Sequence, residues 1–426
     1  MEIEYKSLSE IAKIDISGVD KKTKKNEHPV KLCNFVDVYH NWAITSACMD
    51  DFMDASAKSD EIKRFSLKKN QIAITKDSEK RDDIGIATYI AEDLENVLLG
   101  YHCVLITPDN NIIDSKFLNA YLHSDTALKH FMYNASGSGQ RYTLTLDAIE
   151  NLKVPIFDLK YQHEVGKIFS IIDRKIENNY QINKELLQYM NQLFDYWFIQ
   201  FNFPDNNSQP YKSSGGEMVW NNQVNMNIPK GWNVDYMDSG LISSIINTGI
   251  DDFEDEKIYI ATADVEDFKI INNKNKITIN NRPSRANMQP IAKSIWFAKM
   301  IGSKKIIAVD EYSKELLDNY IFSTGFCGIK CNCDYFYYLL SFILNENFEV
   351  IKDHLCAGST MKAVKNENIK FINFVLPDKE VLIQFNNIVE KMHHKIYQNN
   401  VEIDNLKKIR DYLLPLLVSN QVTLKI

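Results

Sequence analysis

Two stretches, KIENNYQINKELLQYMNQLFDYWF (residues 175–198) and KIYQNNVEIDNLKKIRDYLLPLLVSNQV (residues 395–422), determine how this chain folds. Each belongs to a longer segment, 160–198 and 380–418, whose apolar and asparagine positions recur at alternating spacings of four and three residues. This spacing is the seam of a heptad repeat and predicts two long α-helices. Each helix would be about 58 Å long, so it must bury its seam against a partner.

The two helices are expected to pair with each other as an antiparallel coiled coil about a pseudo-twofold axis. That arrangement superposes their midpoints and predicts a contact between Asn179 and Asn399, which would fix the register at some cost in stability. The alternative places both asparagines on the solvent-exposed flank. Arg410 interrupts the heptad pattern, and Pro415 is expected to fray the last turn. The residues predicted to pair the helices are Ile172, Ile176, Asn179, Leu186, Met392, Ile396, Asn399 and Leu406.

The segments that precede the two helices resemble one another, which indicates an internal duplication. Short β-branched runs and helix-like segments within each half predict α/β or α+β modules. Five matches occur in the same order, at offsets of 227, 223, 225, 221 and 222 residues: Asp37-Val38 with Asp264-Val265, Ile72–Lys76 with Ile295–Lys299, Gly100-Tyr101 with Gly325-Phe326, Gly137–Arg141 with Gly358–Lys362, and Val154-Pro155 with Leu376-Pro377.

The predicted organisation alternates globular domains and helices. Prolines at 155, 204 and 377 bracket the helices, and the stretch 203–227 has the proline, glycine, serine and asparagine content of a linker or hairpin. The predicted segments are a first domain (1–157), a central helix (158–202), a linker (203–227), a second domain (228–378), a C-terminal helix (379–418) and a tail (419–426).

Composition and charge narrow the function. Hydrophobic residues make up 45% of the 426 residues and charged residues 25%, which is typical of a folded protein. Apolar runs fall short of the roughly 18 residues of a membrane span, and an odd number of cysteines without a signal-like N-terminus favours reduced thiols and a cytoplasmic location. The net charge of −8 disfavours nucleic acid, but residues 269–305 hold nine Lys or Arg and no acid. This stretch predicts a local positive field or, alternatively, a solvated lysine face.

Taken together, these elements resemble the DNA-specificity subunit of type I restriction-modification systems. The resemblance covers nearly the whole chain: a loop GSGQR (137–141), a V-P step (154–155), the first helix, a second half with GSTMK (358–362), and the closing helix. The first half lacks a clear counterpart of Ile228–Trp232, the lead-in that opens the second.

The resemblance implies a non-catalytic subunit with two target-recognition domains. Each domain would read half of a bipartite, asymmetric site in double-stranded DNA, with the helices setting the spacing between the halves. Its implied partners are two adenine-methyltransferase subunits, which dock on the helices, and restriction subunits. The chain itself would bind no cofactor, with S-adenosylmethionine, ATP and Mg²⁺ acting in the partner subunits.

Candidate DNA contacts are chosen for close backbone approach and for hydrogen-bond donors to phosphates or base edges. In the two glycine loops they are Gly137, Ser138, Gly139, Gln140, Arg141, Tyr142, Gly358, Ser359, Thr360 and Lys362. Elsewhere they are Arg282, Arg285, Lys293 and Lys299 in the second half and Arg64, Lys68, Lys69 and Lys76 in the first. The alternative for the loops is an ordinary flexible turn.

Enzyme interpretations find little support in the sequence. It contains no phosphate loop and no NPP[FYW] or DPP[FYW] tetrapeptide, and the nuclease-like string Pro108-Asp109 with Asp114–Lys116 is too tightly spaced. Cys327, Cys331, Cys333 and Cys356 depart from zinc-knuckle spacing, so no metal site is predicted. His393 and His394 are expected to be solvated or at an interface. The remaining alternative is a coiled-coil scaffold whose globular halves bind protein.

Overall fold

A computed structural model of the chain describes residues 4–137, 139–358, 362–419, 421, 422 and 424. The chain divides into two units, a first made of Met1–Tyr180 with Asn400–Ile426 and a second made of Gln181–Asn399. Both boundaries fall near the middle of a long helix. Each unit therefore combines a globular half with parts of both long helices.

The first unit is a mixed module of short strands and helices. Its strands are β1 Glu4–Ser7, β2 Ala12–Ile16, β3 His28–Cys33, β4 Ala43–Ile44, β5 Met53–Ala57, β6 Ile72–Thr75, β7 Asp77–Ser78, β8 Ala87–Ile90, β9 Val97–Leu99, β10 Cys103–Pro108, β11 Ser136–Gly137, β12 Tyr142–Thr143 and β13 Lys153–Ile156. Its helices are α1 Leu8–Ile11, α2 Phe35–His40, α3 Ser59–Phe65, α4 Ser115–Leu122, α5 Asp125–Asn134, α6 Leu146–Glu150 and the first part of α7 Leu159–Phe194.

The second unit contains the last part of α7 and the π-helical turn, Asp195–Ile199, that extends it. Its strands are β14 Met218–Asn221, β15 Met226–Pro229, β16 Asn233–Tyr236, β17 Ser243–Ile245, β18 Lys257–Ile260, β19 Val265–Glu266, β20 Lys269–Ile270, β21 Lys276–Ile277, β22 Ala286–Met288, β23 Ser294–Ala298, β24 Ile306–Val309, β25 Tyr320–Ser323, β26 Phe326–Cys331, β27 Cys356–Ala357, β28 Ala363–Val364 and β29 Asn373–Leu376. Its helices are α8 Lys314–Asn319, α9 Phe336–Leu344, α10 Glu346–His354, α11 Asn366–Ile369 and the first part of α12 Lys379–Val418.

The two globular halves share a sheet topology. The order β2-β10-β6-β8 within the first central sheet corresponds to β17-β26-β23-β24 in the second. A parallel pair, β3 with β9, likewise corresponds to β18 with β25, at offsets of 227 and 223 residues. These correspondences confirm the duplication and the mixed α/β class predicted from the sequence.

Two of the five sequence matches are displaced by two residues. Cys103 pairs with Thr75 and Phe326 with Ala298, so Phe326 corresponds to Cys103 and not to Tyr101. The hydrogen bonds Leu8 N to Leu152 O and Met237 N to Ile372 O likewise give an offset of 220 at the V-P step, where 222 was predicted. Glycine and proline recur in many turns, so short matches built on them can be placed two residues out of register.

Alternate residues of the central strands enter different cores, as the two-residue period of a strand requires. Ile72 and Ile74 pack in a cluster with the helix α4, whereas Ala73 packs on the opposite face with Val38 of α2. Strand β6, with the sequence IAIT, is therefore buried on both faces and shows no alternation of polar and apolar residues.

The long helices pack antiparallel within each unit. In the first, Ile172 and Ile176 of α7 pack against Ile403 of α12, and the Tyr161 hydroxyl donates to Leu417 O at 2.8 Å. In the second, Leu186 packs in the same core as Met392 and Ile396. Leu406 lies partly buried beside Ile403. The helix α12 continues through Pro415 to Val418, so the predicted fraying is wrong: Leu417 and Val418 are buried and hold the last turn in place.

Both central asparagines are buried, but each amide nitrogen has a partner other than the predicted one. Asn179 Nδ2 donates to Glu402 Oε2 at 2.9 Å, and Asn399 Nδ2 donates to Asn183 Oδ1 at 2.8 Å. The register therefore differs from the predicted Asn179–Asn399 pair by about one helical turn. Arg410, which interrupts the heptad, lies 5.2 Å over the Trp42 ring of the globular half.

The predicted linker is ordered around aromatic rings. Phe203 stacks on Trp232 with ring centroids 4.7 Å apart, and Tyr211 stacks on the Phe203 ring. Strands β14 and β15 then form a hairpin. Within the described ranges, no helix is both long and apolar enough to cross a membrane.

Candidate nucleic-acid interface

The hairpin of β11 and β12 carries the loop GSGQR. Gly137 faces Tyr142 across the hairpin, and Gly139, Gln140 and Arg141 of the loop are exposed. Gly137 has a φ of +135°, and a Cβ there would lie 2.2 Å from Arg141 O, so a larger residue would displace the loop. Ser138 lies outside the described residues.

A buried carboxylate lies beneath this hairpin, because β12 also pairs with β7. Asp77 Oδ2 lies 2.6 Å from His102 Nδ1, 3.4 Å from the Arg141 guanidinium and 3.8 Å from Lys76 Nζ. Asp77 Oδ1 accepts a hydrogen bond from the Thr143 hydroxyl. The Asp77 side chain is 11% exposed and that of Arg141 is 61% exposed, so the cluster has an acid inside and a cation outside.

The fold thus brings together Lys76, Arg141 and Tyr142, which the sequence predicts as DNA contacts from separate segments. Two cations and one carboxylate give this group an excess of positive charge. Arg141 is the exposed cation of the group, whereas the Lys76 side chain is 22% exposed. An exposed arginine binds phosphates, and its fork also fits the acceptors on a guanine edge. The arrangement is suited to binding an anionic ligand that carries hydrogen-bond acceptors.

The second unit repeats the hairpin with a shorter loop. Strand β27 pairs with β28, Gly358 has a φ of +134° and Lys362 is exposed. Before the loop, the residues of the second hairpin correspond to those 221 positions earlier in the first hairpin, and after the loop to those 220 positions earlier. Lys362 therefore occupies the position of Tyr142 and not of Arg141. Ser359 and Thr360 lie outside the described residues.

Backbone bonds around this second hairpin match those around the first. Lys299 N donates to Gly325 O at 3.0 Å, as Lys76 N donates to His102 O at 2.8 Å. Met300 forms a bridge with Ala363 at the position where Asp77 pairs with Thr143. The second unit therefore has methionine and glycine where the first has the buried acid and the histidine.

Three other candidates of the first half lie away from this hairpin. Lys68 and Lys69 are exposed and precede β6, whereas Lys76 follows it. Arg64 donates from Nε to Asp15 Oδ1 at 2.9 Å, and its NH2 group lies 2.8 Å from the same oxygen. The structure does not bring these three residues together with Arg141.

The basic stretch of the second half is partly neutralised by contacts within the unit. Lys276 pairs with Glu256 at 2.9 Å. Arg282 donates to Ala286 O at 2.8 Å and so closes its own loop, whereas Arg285 is exposed.

Lys293 requires a correction, because its geometry conflicts with the predicted phosphate contact. Its ammonium lies 2.5 Å from Glu311 Oε2 and about 5 Å from the ring centroids of Phe336 and Tyr337. The side chain is 15% exposed. Lys293 therefore holds together the interior of the unit.

The nuclease-like string has a structural explanation. The Asp114 carboxylate accepts from Lys116 N and Phe117 N, both at 2.9 Å, and caps the N-terminus of α4. Among the described residues, no three His, Cys, Asp or Glu side chains cluster as metal ligands. Cys327 and Cys331 are buried thiols, and burial raises the pKa of Cys327 to about 12. His393 is buried where α12 packs on Asp310, Phe336 and Tyr337, so it is an interface histidine within the unit and not a solvated one.

Asp77, His102 and Thr143 were not identified as site residues from the sequence. Asp77 directly follows Lys76 in the sequence, but an acid beside a candidate phosphate contact does not itself indicate a DNA interface. Only the pairing of β7 with β12 shows that this acid lies under the loop.

Comparison with known proteins shows what the part of the chain that contains the first hairpin is similar to. The type I restriction modification DNA specificity domain matches residues 2–188, which contain the whole first hairpin and most of α7. Over these residues the chain is similar to the specificity subunits of type I restriction-modification systems. The resemblance inferred from the two glycine loops and the two helices is thereby confirmed.

Similar specificity subunits match most of the chain. The MjaIX specificity subunit of Methanocaldococcus jannaschii is 26% identical over 330 residues, covering 74% of this chain and 71% of the relative. The HindI specificity subunit of Haemophilus influenzae is 23% identical over 400 residues, covering 81% and 85%. Among solved structures, the S subunit from M. genitalium is 14% identical, with a TM-score of 0.48 and coverage of 98% and 96%.

Proposed function

We propose that each unit of this specificity subunit reads one half of a bipartite, asymmetric site in double-stranded DNA, with its glycine hairpin at the reading surface. The observation that carries this proposal is the repetition of one hairpin backbone with different side chains. Asp77 and His102 surround the first hairpin, and Met300 and Gly325 occupy their places at the second. Two hairpins with the same backbone and different side chains would contact different bases. The two half-sites should therefore differ, unlike the identical half-sites of the palindrome that a homodimer reads.

The long helices would set the spacing of the half-sites and hold the partner subunits. The apolar residues of the heptad seam pack against each other within the units, but Ile171, Tyr189 and Tyr412 expose between 56% and 70% of their surface. Exposed apolar side chains on a paired helix support docking of a protein. The proposed partners are two adenine-methyltransferase subunits, with restriction subunits, which would supply S-adenosylmethionine, ATP and Mg²⁺ chemistry. The specificity subunit itself would not be an enzyme.

Methylation mapping tests this proposal. The chain would be purified with the adenine-methyltransferase subunit of its own operon, and random-sequence DNA would be methylated with S-adenosylmethionine. We expect modified adenines only within a bipartite motif, and loss of that motif when this chain is omitted. Modification that does not depend on this chain would contradict the proposal and favour a protein-binding scaffold.

Single substitutions in the two hairpins test which half-site each unit reads. Arg141→Gln is expected to relax the bases of one half-site and Lys362→Gln those of the other. Lys153→Gln, which removes an exposed charge on β13 that is not a candidate DNA contact, should leave both halves unchanged. Affinity should also fall steeply with salt, and the log–log slope should decrease by about 0.9 for each phosphate contact removed.

A further inference from the structure

One imidazole nitrogen beside the first hairpin faces two partners that require opposite roles from it. His102 Nδ1 lies 2.6 Å from Asp77 Oδ2 and 2.9 Å from NH2 of Arg141. A protonated ring nitrogen donates to a carboxylate, whereas an unprotonated one accepts from a guanidinium. The protonation of Nδ1 therefore determines whether His102 is bound to the acid or to the arginine.

The other described groups around this imidazole hold the acid in place. Lys76 Nζ lies 3.8 Å from Asp77 Oδ2, and the Thr143 hydroxyl donates to Oδ1. The Tyr101 ring packs against the imidazole with centroids 3.7 Å apart. Asp77 is thus fixed by groups from several segments. Arg141 is held from behind and is itself mostly exposed.

We propose that Asp77 and His102 are positioning residues that orient the Arg141 guanidinium and make Arg141 a specificity-determining residue of the first half-site. This inference rests on the proposed DNA-reading function. A guanidinium reads a base edge by two parallel hydrogen bonds, so its discrimination depends on a fixed direction, whereas its attraction to phosphate does not. Because Met300 and Gly325 replace the pair in the second unit, the effect is confined to one half-site.

The central experiment replaces Asp77→Asn in the full chain and measures binding to cognate and non-cognate duplexes. The variant keeps the shape of the side chain but removes the charge that anchors Arg141. We expect affinity for the cognate duplex to fall about tenfold, in the range of one lost bidentate contact. Affinity for non-cognate DNA should stay constant or rise up to about threefold, because a negative charge near the phosphates is lost.

Glu79→Gln is the matched control, because it removes an exposed acid two residues away, on the same segment. It should change both affinities by the same factor and leave their ratio constant. Arg141→Lys should lower the ratio as Asp77→Asn does. The double variant should be no worse than either single variant, because all of them disrupt the same contact.

His102→Asn supplies a readout that a purely structural role would not move. Its amide stands near the position of Nδ1 and can donate to Asp77 or accept from Arg141, whereas His102→Ala removes both contacts. The ratio of cognate to non-cognate affinity should therefore fall in His102→Ala and be largely restored in His102→Asn, with equal melting temperatures for the two variants.

The outcomes separate this inference from the proposed function. If Asp77→Asn weakens cognate and non-cognate binding equally, together with a lower melting temperature, the pair is structural and the inference is overturned. The same holds if methylation mapping shows that both half-sites relax. If the wild type shows no sequence preference, the proposed DNA-reading function is wrong, and the inference that rests on it is overturned as well.

Discussion

Asn399 donates a hydrogen bond from its amide nitrogen to Oδ1 of Asn183 at 2.8 Å, with side chains 0% and 8% exposed. This polar pair lies among the apolar residues that α7 and α12 bury in the second unit, close to Ile396. A shift of register would place an amide opposite an apolar side chain and leave it without a partner. The pair therefore costs some stability but selects one alignment of the helices.

Replacing one member of this pair should be worse than replacing both. Asn183→Leu is expected to lower the free energy of unfolding by about 1 to 3 kcal/mol, because the Asn399 amide loses a buried partner. Adding Asn399→Leu should recover most of that loss. Urea unfolding of the full chain measures both, with the exposed Asn178→Leu on the same helix as control, expected within about 0.5 kcal/mol of wild type. A double variant as unstable as the single one would contradict this account.

Alanine at Gly137 should disturb the first hairpin much more than alanine at Gly139. Gly137→Ala combines a φ of +135° with a Cβ 2.2 Å from Arg141 O. Gly139 also has a positive φ, +68°, which costs alanine about 1 kcal/mol, but a Cβ there meets nothing within 4 Å. We expect Gly137→Ala to lower cognate DNA affinity by well over about tenfold by displacing Arg141. Gly139→Ala should cost no more than about fivefold, because backbone strain alone opposes it. Equal losses in a direct binding assay would show that the loop conformation does not matter for binding.

The sequence predicted the long helices because a heptad seam repeats over many turns and each repeat adds to the signal. It did not predict their register, because a seam that recurs every three or four residues looks much the same after a shift of one turn. Asn399 consequently meets Asn183, four residues beyond the predicted Asn179.

The sequence located the glycine loop of the candidate site, which is a local feature, and missed the residues that reach the loop from elsewhere in the chain. The glycines and Arg141 were recognisable because local spacing identifies a loop with donors. Asp77 and His102 reach that loop through strand pairing, and Arg410 meets Trp42 of the globular half across the fold. No local sequence pattern encodes such contacts, so the sequence shows that Arg410 interrupts the heptad but not that it packs on a ring of the globular half.

Stability should fall as pH is lowered from 6.5 towards 3 because of His123. Burial, with a contribution from the charge of Arg410, lowers the pKa of His123 to about 3, and its ring stacks on Trp42 at 4.1 Å. Below pH 6.5 the unfolded chain takes up a proton that the folded chain does not, so the loss reaches at most about 1.4 kcal/mol per pH unit. His123→Phe keeps the stack and should flatten the curve of unfolding free energy between pH 7 and 4. The exposed His28→Gln should not, and an unchanged curve for His123→Phe would contradict the assignment.

Asp310 is the acid whose removal should most damage the second unit. Its side chain is fully buried, accepts from the Ser313 hydroxyl at 2.7 Å and from Tyr312 N at 3.0 Å, and lies 3.2 Å from His393 Nδ1 on α12. Burial alone would raise the pKa of Asp310, but the nearby imidazole and these hydrogen bonds lower it to about 2.

Because the folded pKa of Asp310 is below the usual value of 3.8, its contribution to stability is present above about pH 4 and is lost as pH falls through 2. Asp310→Asn should therefore destabilise the chain by about 1 to 3 kcal/mol at pH 7, because Ser313 and Tyr312 lose a charged hydrogen-bond acceptor, and by less near pH 2. Chemical unfolding at both pH values, with the exposed Asp318→Asn as control, measures the difference. An equal loss at the two pH values would mean that Asp310 acts through its shape and hydrogen bonds and that its charge contributes nothing.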